Sequence, residues 1–374
     1  MPQRRLSILQ VTRQFYPSVA GVEVVVENLG RELIRLGHRC EVVTLNHLFY
    51  ASDRRLPAEE NRLGILVRRI PYWGGRRFFV APSVLHWLRD FDVVHVHNTD
   101  FFCDFLARTR FLHHKPLLLT THGGFFHTSS AAWLKRLYFG TITRGSLRRF
   151  DVVTAVSESD RQLFVSVCDR VRVIHDGVDF PTYSAVEKRI EPGLLVYVGR
   201  LASNKRVDAL LKACALVYER MPHVRLVLIG MDFEDVRPKL EALAGQLGVQ
   251  SMVQFLGSVP GSVLRENLAR ANLFVSASEY ESFGLSVVEA MATGTVPVVN
   301  RLPPFEQFIE PGQNGWFCDF SRPGEAARVL VKALCCPMGR LELMGRRARA
   351  VAEQYDWAHI VEEWESLYYR VLGV

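Results

Sequence analysis

Apolar runs of strand length alternate with amphipathic segments along the whole chain. Leu6–Val11 is followed by a loop carrying Pro17 and Gly21. Val22, Val25, Val26, Leu29, Leu33 and Leu36 come next, and their spacing near 3.6 residues predicts a helix with one apolar stripe. Arg39–Thr44, Val93–His97, Leu117–Thr121 and Val152–Val156 read as the next buried strands. A second series starts at Leu194–Gly199 and continues through Arg225–Gly230, Met252–Leu256, Asn272–Ser276 and Thr295–Val299. Strands interleaved with helices throughout predict parallel sheets wrapped by helices, so the class is α/β. His175–Pro192, with Gly177, Pro181, Pro192 and charged residues, reads as the linker between the two series. This gives an N-terminal domain over 1–180 and a C-terminal domain over 190–356, both doubly wound and Rossmann-like. The last stretch, Trp357–Leu372, puts Ile360, Trp364, Leu367 and Val371 on one helical stripe. A helix over 357–374 is expected to pack back on the N-terminal domain.

Composition narrows the class further. At 374 residues the chain is longer than one hydrophobic core sustains, and 48% hydrophobic with 23% charged residues excludes a disordered chain. No apolar run approaches the roughly 20 residues needed to cross a bilayer. The basic start, Met1–Arg5, lacks the long apolar segment and small-residue cleavage site of a signal peptide, so the expected location is cytoplasmic. The seven cysteines are scattered without a C-x-x-C pair and read as reduced core thiols. The net charge of +7 is uneven: residues 1–185 hold 25 Lys and Arg against 17 Asp and Glu, and residues 186–374 hold 21 against 22. An anionic partner, membrane surface or nucleic acid, is therefore expected to meet the N-terminal half.

Doubly wound domains that face each other place the C-terminal ends of their strands at one cleft, so functional residues should follow strands. Gly21, His122, Arg200 and Glu281 all do. In Glu281–Glu289, E-S-F-G-L-S-V-V-E, a glycine-bearing loop opens a helix between two carboxylates. The backbone around Phe283, Gly284 and Leu285 then offers amides to a polar ligand. Glu281 can accept bonds from sugar hydroxyls and Glu289 from the paired hydroxyls of a ribose. The alternative is a surface charge and a helix carboxylate favoured by the dipole. Tyr197–Lys205, Y-V-G-R-L-A-S-N-K, adds Arg200 and Lys205 just past a buried strand, two cations suited to a departing nucleoside diphosphate.

In these motifs the chain resembles family 4 of the glycosyltransferases, retaining enzymes of the GT-B fold, over nearly its full length. The likeness rests on F-Y-P-S-V-A-G-V-E (Phe15–Glu23), L-I-R-L-G-H-R-C-E-V (Leu33–Val42), V-V-H-V-H (Val93–His97), T-H-G-G-F (Thr121–Phe125), A-V-S-E-S (Ala155–Ser159) and V-I-H-D-G-V-D (Val173–Asp179). Its C-terminal part rests on V-G-R with Lys205, on L-I-G (Leu228–Gly230), on V-Q-F-L-G (Val253–Gly257) and on the paired-glutamate motif. The resemblance implies that Gly21 offers its amide to the donor phosphate and that His122 sits beside the transferred sugar. It also implies that Arg200 and Lys205 hold the diphosphate, that Val253 presents backbone to the nucleobase, and that Glu281 binds the sugar and Glu289 the ribose. Transfer in the family keeps the α configuration by front-face attack, a leaving phosphate oxygen taking the acceptor's proton, with no metal or other cofactor. Three positions depart from the family pattern: Ala20–Gly21 for a double glycine, Asp176–Gly177 for Asn-Gly, and Gly230–Met231–Asp232 without a second glycine.

The stretches Thr121–Thr128 and Leu137–Arg144 are similar to bacterial mannosyltransferases of exopolysaccharide assembly. That likeness implies GDP-mannose as nucleotide-sugar donor and a polyprenyl-diphosphate-linked glycan as acceptor. A membrane role follows from Trp133–Phe150. Trp133, Leu134, Leu137, Tyr138 and Ile142 stand at helical spacing there, with Lys135, Arg136, Arg144, Arg148 and Arg149 around them, as in an interfacial helix. A second basic cluster, Arg68, Arg69, Arg76 and Arg77, surrounds Pro71, Tyr72 and Trp73. The enzyme is expected on the inner face of the membrane as a peripheral protein.

Competing readings remain at this level. Asp90–Phe91–Asp92 has D-x-D spacing but leads into a strand, the wrong end of a sheet for a catalytic metal. His95 and His97 share a strand face with His122 and His127 nearby, and a polar pocket wall is preferred to zinc. A UDP-sugar donor with a soluble acceptor, a sugar-nucleotide epimerase and a glycogen-type phosphorylase fit the same architecture. A nicotinamide dehydrogenase lacks its G-x-G-x-x-G after any strand, and a nucleic-acid binder lacks any recognisable motif, so neither is preferred.

Overall fold

Parallel strands covered by helices on both faces must be apolar on both, and the central strands here are buried along almost their whole length. The computed structural model describes residues 4–76, 78–123, 133 and 137–374. The chain divides into two compact units, one running up to Gly177 and completed by Trp357–Val374, the other spanning Val178–Asp356.

The first unit contains β1 (Ser7–Val11), β2 (Arg39–Leu45), β3 (Glu59–Arg62), β4 (Ile65–Ile70), β5 (Val93–His97), β6 (Leu117–Thr120), β7 (Val152–Ala155) and β8 (Val171–Val173). Its sheet has the order β8-β7-β6-β5-β1-β2-β4-β3, parallel throughout except for the β3–β4 hairpin. Helix α1 (Gly21–Arg35) buries Val25, Val26, Leu29 and Leu33, the apolar stripe read from the sequence, and α2 (Phe101–Arg108) follows β5. The second unit opens with α3 (Phe180–Ser184) and builds a sheet from β9 (Leu194–Val198), β10 (Arg225–Ile229), β11 (Val253–Gly257), β12 (Leu273–Ser276), β13 (Val296–Asn300) and β14 (Trp316–Cys318). The order is β11-β10-β9-β12-β13-β14, all parallel. Helix α4 (Leu285–Ala292) lies in this unit, and α5 (Trp357–Leu372) belongs to the first. In both sheets the strand order reverses beside the first strand, between β1 and β5 and between β9 and β12. Such reversals open a crevice at the carboxyl ends of the strands.

Polar side chains interrupt the apolar sheet of the first unit along one line. His95 bonds Tyr368 Oη (2.8 Å) and Thr120 Oγ1 (2.7 Å), Thr120 reaches Thr154 (2.9 Å), and His97 bonds Gln10 (3.1 Å). Tyr368 comes from α5, whose Trp364 lies over the His95 ring and whose Trp357, Ile360, Val361 and Leu367 join Leu6, Ile8, Leu29 and Leu33 in one apolar cluster. His95 and His97 are therefore interior residues under α5 and not the pocket wall read from the sequence. Burial pushes His95 down to about 3 and His97 well below the ordinary imidazole value, so both stay neutral.

The linker read over residues 175–192 holds the boundary between the units and carries a helix: Asp179 caps α3 by accepting from the Thr182 amide, and Tyr183 is buried. One further expectation changes. The second basic cluster is largely an internal one. The β3–β4 hairpin sets Glu59 opposite Arg68, so Arg68 pairs with Glu59 and Glu41, and the buried Arg69 pairs with Glu60 and Tyr16 O. Arg77 lies outside the described residues. Of the seven cysteines, Cys40, Cys103, Cys168 and Cys214 are core thiols, whereas Cys335 is exposed and Cys318 and Cys336 only half-buried.

The end of the first unit's long segment is held by contact with α5. A Cβ on Gly177 would meet the Trp357 ring at 2.5 Å. Gly177→Ala should therefore lower stability by about 1–3 kcal/mol, the usual cost of overpacking. Thermal or urea unfolding of the full chain measures this, and an unchanged midpoint would show that Trp357 yields without cost.

Candidate active site

At the carboxyl end of the first unit's sheet, the chain turns sharply after β6 and holds His122 in the left-handed region, with φ at +50°. A non-glycine residue there is strained by roughly 1–2 kcal/mol, which the imidazole's contacts offset. The His122 ring stacks on His97 with centroids 5.2 Å apart, and His122 Nε2 lies 3.0 Å from His97 Nδ1. The proton positions follow from Gln10. Its amide nitrogen donates to Val26 O (3.0 Å) and to the Cys40 sulfur (3.3 Å), so its Oε1 faces His97 and must accept from His97 Nε2–H. Neutral His97 then has a bare Nδ1, which accepts from His122 Nε2–H. His122 is left with Nδ1 as a hydrogen-bond acceptor, 3.9 Å from Asp176 Oδ1. Burial lowers His122 to about 3 and raises Asp176 well above the ordinary carboxylate value, the latter also because Asp160 is near. Gly21 begins α1, where the first amides have no helical acceptor, and an ideal Cβ there meets nothing within 4 Å.

In the second unit, two adjacent strand-to-helix turns touch. Gly230 has φ +143°, and a Cβ on it would fall 1.9 Å from the Gly199 carbonyl oxygen, so only glycine fits after β10. Arg200 follows β9 with its guanidinium 4.3 Å from the Phe233 ring centroid. Lys205 closes a short 3-10 turn over Ser203–Lys205 and bonds Glu281 Oε1 at 2.6 Å, both side chains being largely buried. The loop from Glu281 reaches α4 through Gly284, whose φ is +104° and whose Cβ would strike Phe305 at 2.4 Å. Glu289 lies on α4 and bonds the Tyr183 hydroxyl from α3. Exclusion of water raises the Glu289 carboxyl to about 7, the Tyr183 bond opposing the rise.

Thus Arg200, Lys205, Glu281, Gly284, Leu285 and Glu289 follow β9 and β12, at the sheet's reversal. Val253 does not belong with them. It is the first residue of β11, paired with Leu226, while Gly257 at the other end pairs with Ile229 next to Gly230. At about 3.3 Å per residue, Val253 stands roughly 13 Å from the end where Gly199 and Gly230 meet. Phe283 is a core side chain packed on Phe308 and Tyr355, so only its backbone faces the loop. Tyr183, Phe233 and Asp160 carry no signal of their own in the sequence, and Asp176 shows only as the departure from Asn-Gly in the family pattern. The Asp-Phe-Pro start of α3, a cap followed by proline, is the feature that marks a helix inside the supposed linker.

The remaining candidates are distributed as follows. Asp92 accepts from Ser7 N (2.8 Å) and from Arg4 (2.9 Å), at the starting ends of β1 and β5. No group of three or more His, Cys, Asp or Glu suited to hold a metal occurs among the described residues. Trp133 is 71% exposed, Leu137 54%, and Arg144, Arg148 and Arg149 are exposed, while Tyr138 turns inward to bond Asp104. Lys135, Arg136, Leu134 and His127 lie outside the described residues. No helix among the described residues is long and apolar enough to cross a membrane.

Residues 19–180 match the family described as Glycosyltransferase Family 4, and residues 181–351 match Glycosyl transferases group 1. Over 99% of this chain and 98% of its own length, GDP-mannose:cellobiosyl-diphosphopolyprenol alpha-mannosyltransferase of Xanthomonas oryzae pv. oryzae is 36% identical. The protein of the same name from Komagataeibacter xylinus is 33% identical over 98% of this chain and 94% of its own. Among solved structures, sucrose-phosphate synthase from Thermosynechococcus elongatus shares the fold with a TM-score of 0.81 at 18% identity, covering 99% of this chain and all of that one. HepE from Anabaena, in complex with UDP and glucose, has a TM-score of 0.77 at 18% identity, with 97% of this chain and 99% of that one covered.

The Lys205–Glu281 contact makes a quantitative expectation possible. A urea-unfolding double-mutant cycle over Lys205→Ala and Glu281→Ala should return a coupling of about 1–2 kcal/mol, above that of an exposed pair and discounted for the partial exposure of both. A coupling below about 0.3 kcal/mol would mean the two side chains act independently.

Proposed function

Because this chain belongs to glycosyltransferase family 4, built on the GT-B fold, we propose that it is a retaining α-mannosyltransferase using GDP-mannose and a polyprenyl-diphosphate-linked glycan in exopolysaccharide or surface-glycan assembly. Full-length likeness to enzymes named for that donor and acceptor carries the reading. The arrangement after β9 and β12 is in keeping with it: cations for a diphosphate, a carboxylate for sugar hydroxyls and a second carboxylate for a ribose. In the proposed roles, Arg200 and Lys205 neutralise the charge that grows on the diphosphate as the bond to the anomeric carbon breaks. Gly21 adds the amide of an α1 terminus. Glu281 orients the sugar, and Glu289, held by Tyr183, binds the ribose. The acceptor oxygen attacks the anomeric carbon on the face the diphosphate leaves, and a leaving phosphate oxygen takes its proton. The α configuration is thereby kept, and no side-chain nucleophile or metal enters the step.

The deciding assay incubates the protein with GDP-mannose and a cellobiosyl-diphosphopolyprenol acceptor in excess EDTA. An α-linked mannosyl product by NMR, at a rate unchanged by EDTA, is expected. Turnover of UDP- or ADP-sugars in place of GDP-mannose would remove the donor reading, a β product the retaining one. Activity restored to EDTA-treated protein by manganese or magnesium would remove metal independence.

The chain is further proposed to sit on the inner membrane face through its first unit. Exposed Trp133 and Leu137 with Arg144, Arg148 and Arg149 support this. So does a site the sequence reading passed over: Phe111 and Leu112 are exposed, and Arg110 beside them bonds Arg149 O. Each cation near an anionic leaflet contributes on the order of 1 kcal/mol. Sedimentation with anionic liposomes should carry the protein down at low salt and release it at high salt. Replacing Arg144, Arg148 and Arg149 together by Glu should abolish binding, and retention by that variant would refute the surface.

A further inference from the structure

Strands β12, β13 and β14 end side by side, and the turns that follow them leave a cavity of about 380 Å³ within the second unit. That volume lies in the roughly 300–1,000 Å³ range of small-molecule sites. The floor holds the cavity open. Asn300 Nδ2 donates to Ala277 O (2.8 Å) and Ser278 O (3.1 Å), and Asn300 Oδ1 accepts from Phe320 N (2.9 Å), so one side-chain amide ties the three strand ends together. Small side chains make the room, Ala277 after β12 and Ala209 on the helix Val207–Tyr218. Arg206, the residue before that helix, keeps a left-handed backbone at φ +47°, which a non-glycine residue does only where its surroundings fix it. Here it is fixed by ion pairs with Asp208 (3.0 Å) and with Glu279, whose amide donates to Asn204 O (2.9 Å). None of Arg200, Lys205, Glu281 and Glu289 lines the cavity.

The wall carries two cations, Arg206 and Arg301, and two carboxylates, Glu279 and Asp319, so its charges cancel. Each is already engaged. Arg301 pairs with Glu306 (3.0 Å) and lies 4.8 Å from the Phe317 ring centroid. Asp319 accepts from Ser321 Oγ (2.6 Å) and Ser321 N (2.9 Å), which holds its carboxyl below the ordinary range. A bare anion must draw an arginine from its carboxylate, and a bare cation must do the reverse, so either gains little. A ligand with many neutral hydroxyls avoids that loss. Its O–H groups donate to Glu279 and Asp319, its oxygens accept from Arg206 and Arg301, and its C–H faces meet Ala209, Ala277 and Leu302. We propose that this cavity is a saccharide site separate from the Lys205–Glu281 motif, taking a neutral mono- or disaccharide. The mannosyltransferase reading enters only in the choice of probe, cellobiose, the glycan in the names of the similar enzymes.

Amide hydrogen exchange of the full chain at rising cellobiose concentration reads the site directly. Exchange should slow in the segments that hold residues 300–302 and 319–321, and inorganic phosphate should leave both unchanged. GDP should not displace the sugar, because the Lys205–Glu281 motif does not line the cavity. Arg301→Ala combined with Asp319→Ala, both at exposed positions, should raise the half-saturating concentration about tenfold or more, the loss expected from charge-assisted hydrogen bonds. Ser321→Trp keeps all four charges and should block the cavity by bulk alone. No slowing in wild type, the same half-saturation in wild type and both variants, slowing by phosphate, or displacement by GDP would each overturn the proposal. Failure of the chain to transfer mannose from GDP-mannose would overturn the donor reading and leave the exchange result standing.

Discussion

A single proton direction runs through the sheet of the first unit, and the candidate chemistry at its edge depends on it. A buried donor or acceptor left unpaired costs about 1–3 kcal/mol, so Gln10 and His97 have one arrangement in which each of their polar side-chain atoms is matched, with His122 Nε2–H as the last donor. Val26 O and the Cys40 sulfur fix which way the Gln10 amide turns. That choice fixes the proton on His97, and His97 in turn fixes the ring and tautomer of His122. The left-handed backbone at His122 is tolerated because the relay beneath it leaves the ring nowhere else to bond. α5 completes the arrangement by supplying the Tyr368 hydroxyl to the neighbouring His95 and by sealing the line from water. Sequence near the C-terminus therefore helps to set the polarity of a site assembled from the N-terminal half.

The second unit meets the same demand by a different route. Its site after β9 and β12 is shaped by backbone proximity, because the Gly199 and Gly230 turns are in contact and the Gly284 turn packs on Phe305. These contacts leave no space for a Cβ, so the turns are held close and the polar groups they carry converge. Glu289 is then fixed from outside the sheet by Tyr183, on the first helix after the chain enters this unit. The short segment joining the units thus serves as part of the nucleotide end of the site in the proposed function.

Ten parallel strands are legible because burial on both faces leaves an uninterrupted apolar run, and they fall within a residue or so of their observed ends, whereas the parallel strands β4, β8 and β14 go unread. β3 was missed for the converse reason. It is an edge strand of Glu59, Glu60, Asn61 and Arg62, stabilised by pairing and by ion pairs with β4, with no apolar signal. The same ion pairs explain why Arg68 and Arg69 looked like a surface patch: a sequence shows charge and hides the partner nine positions away. A turn glycine or a cation marks residues that follow strands, and Arg200, Lys205 and Glu281 stand after β9 and β12. Val253 stands at the starting end of β11, and a strand's motif does not say which of its ends a residue occupies. The place of Tyr183 against Glu289 depends on tertiary neighbours alone, and a local pattern carries no trace of those.

The pairing of Lys205 with Glu281 bears on what the second unit can bind. Arg200 lies against Phe233 and Lys205 against a carboxylate, so the cations of this site are engaged before any ligand arrives. A bare phosphate taken by Lys205 would draw it from Glu281 and leave that largely buried carboxylate without its counter-charge, a loss that cancels much of the attraction gained. A ligand that carries hydroxyls beside its phosphates avoids this loss, because its O–H groups donate to Glu281 while its anionic oxygens accept from Lys205. In the proposed roles of Lys205 and Glu281 the pair therefore favours a molecule with both functions at neighbouring positions, as in a sugar attached to a diphosphate. Selectivity of this kind comes from the cost of a half-satisfied pair and needs no contact beyond the two side chains.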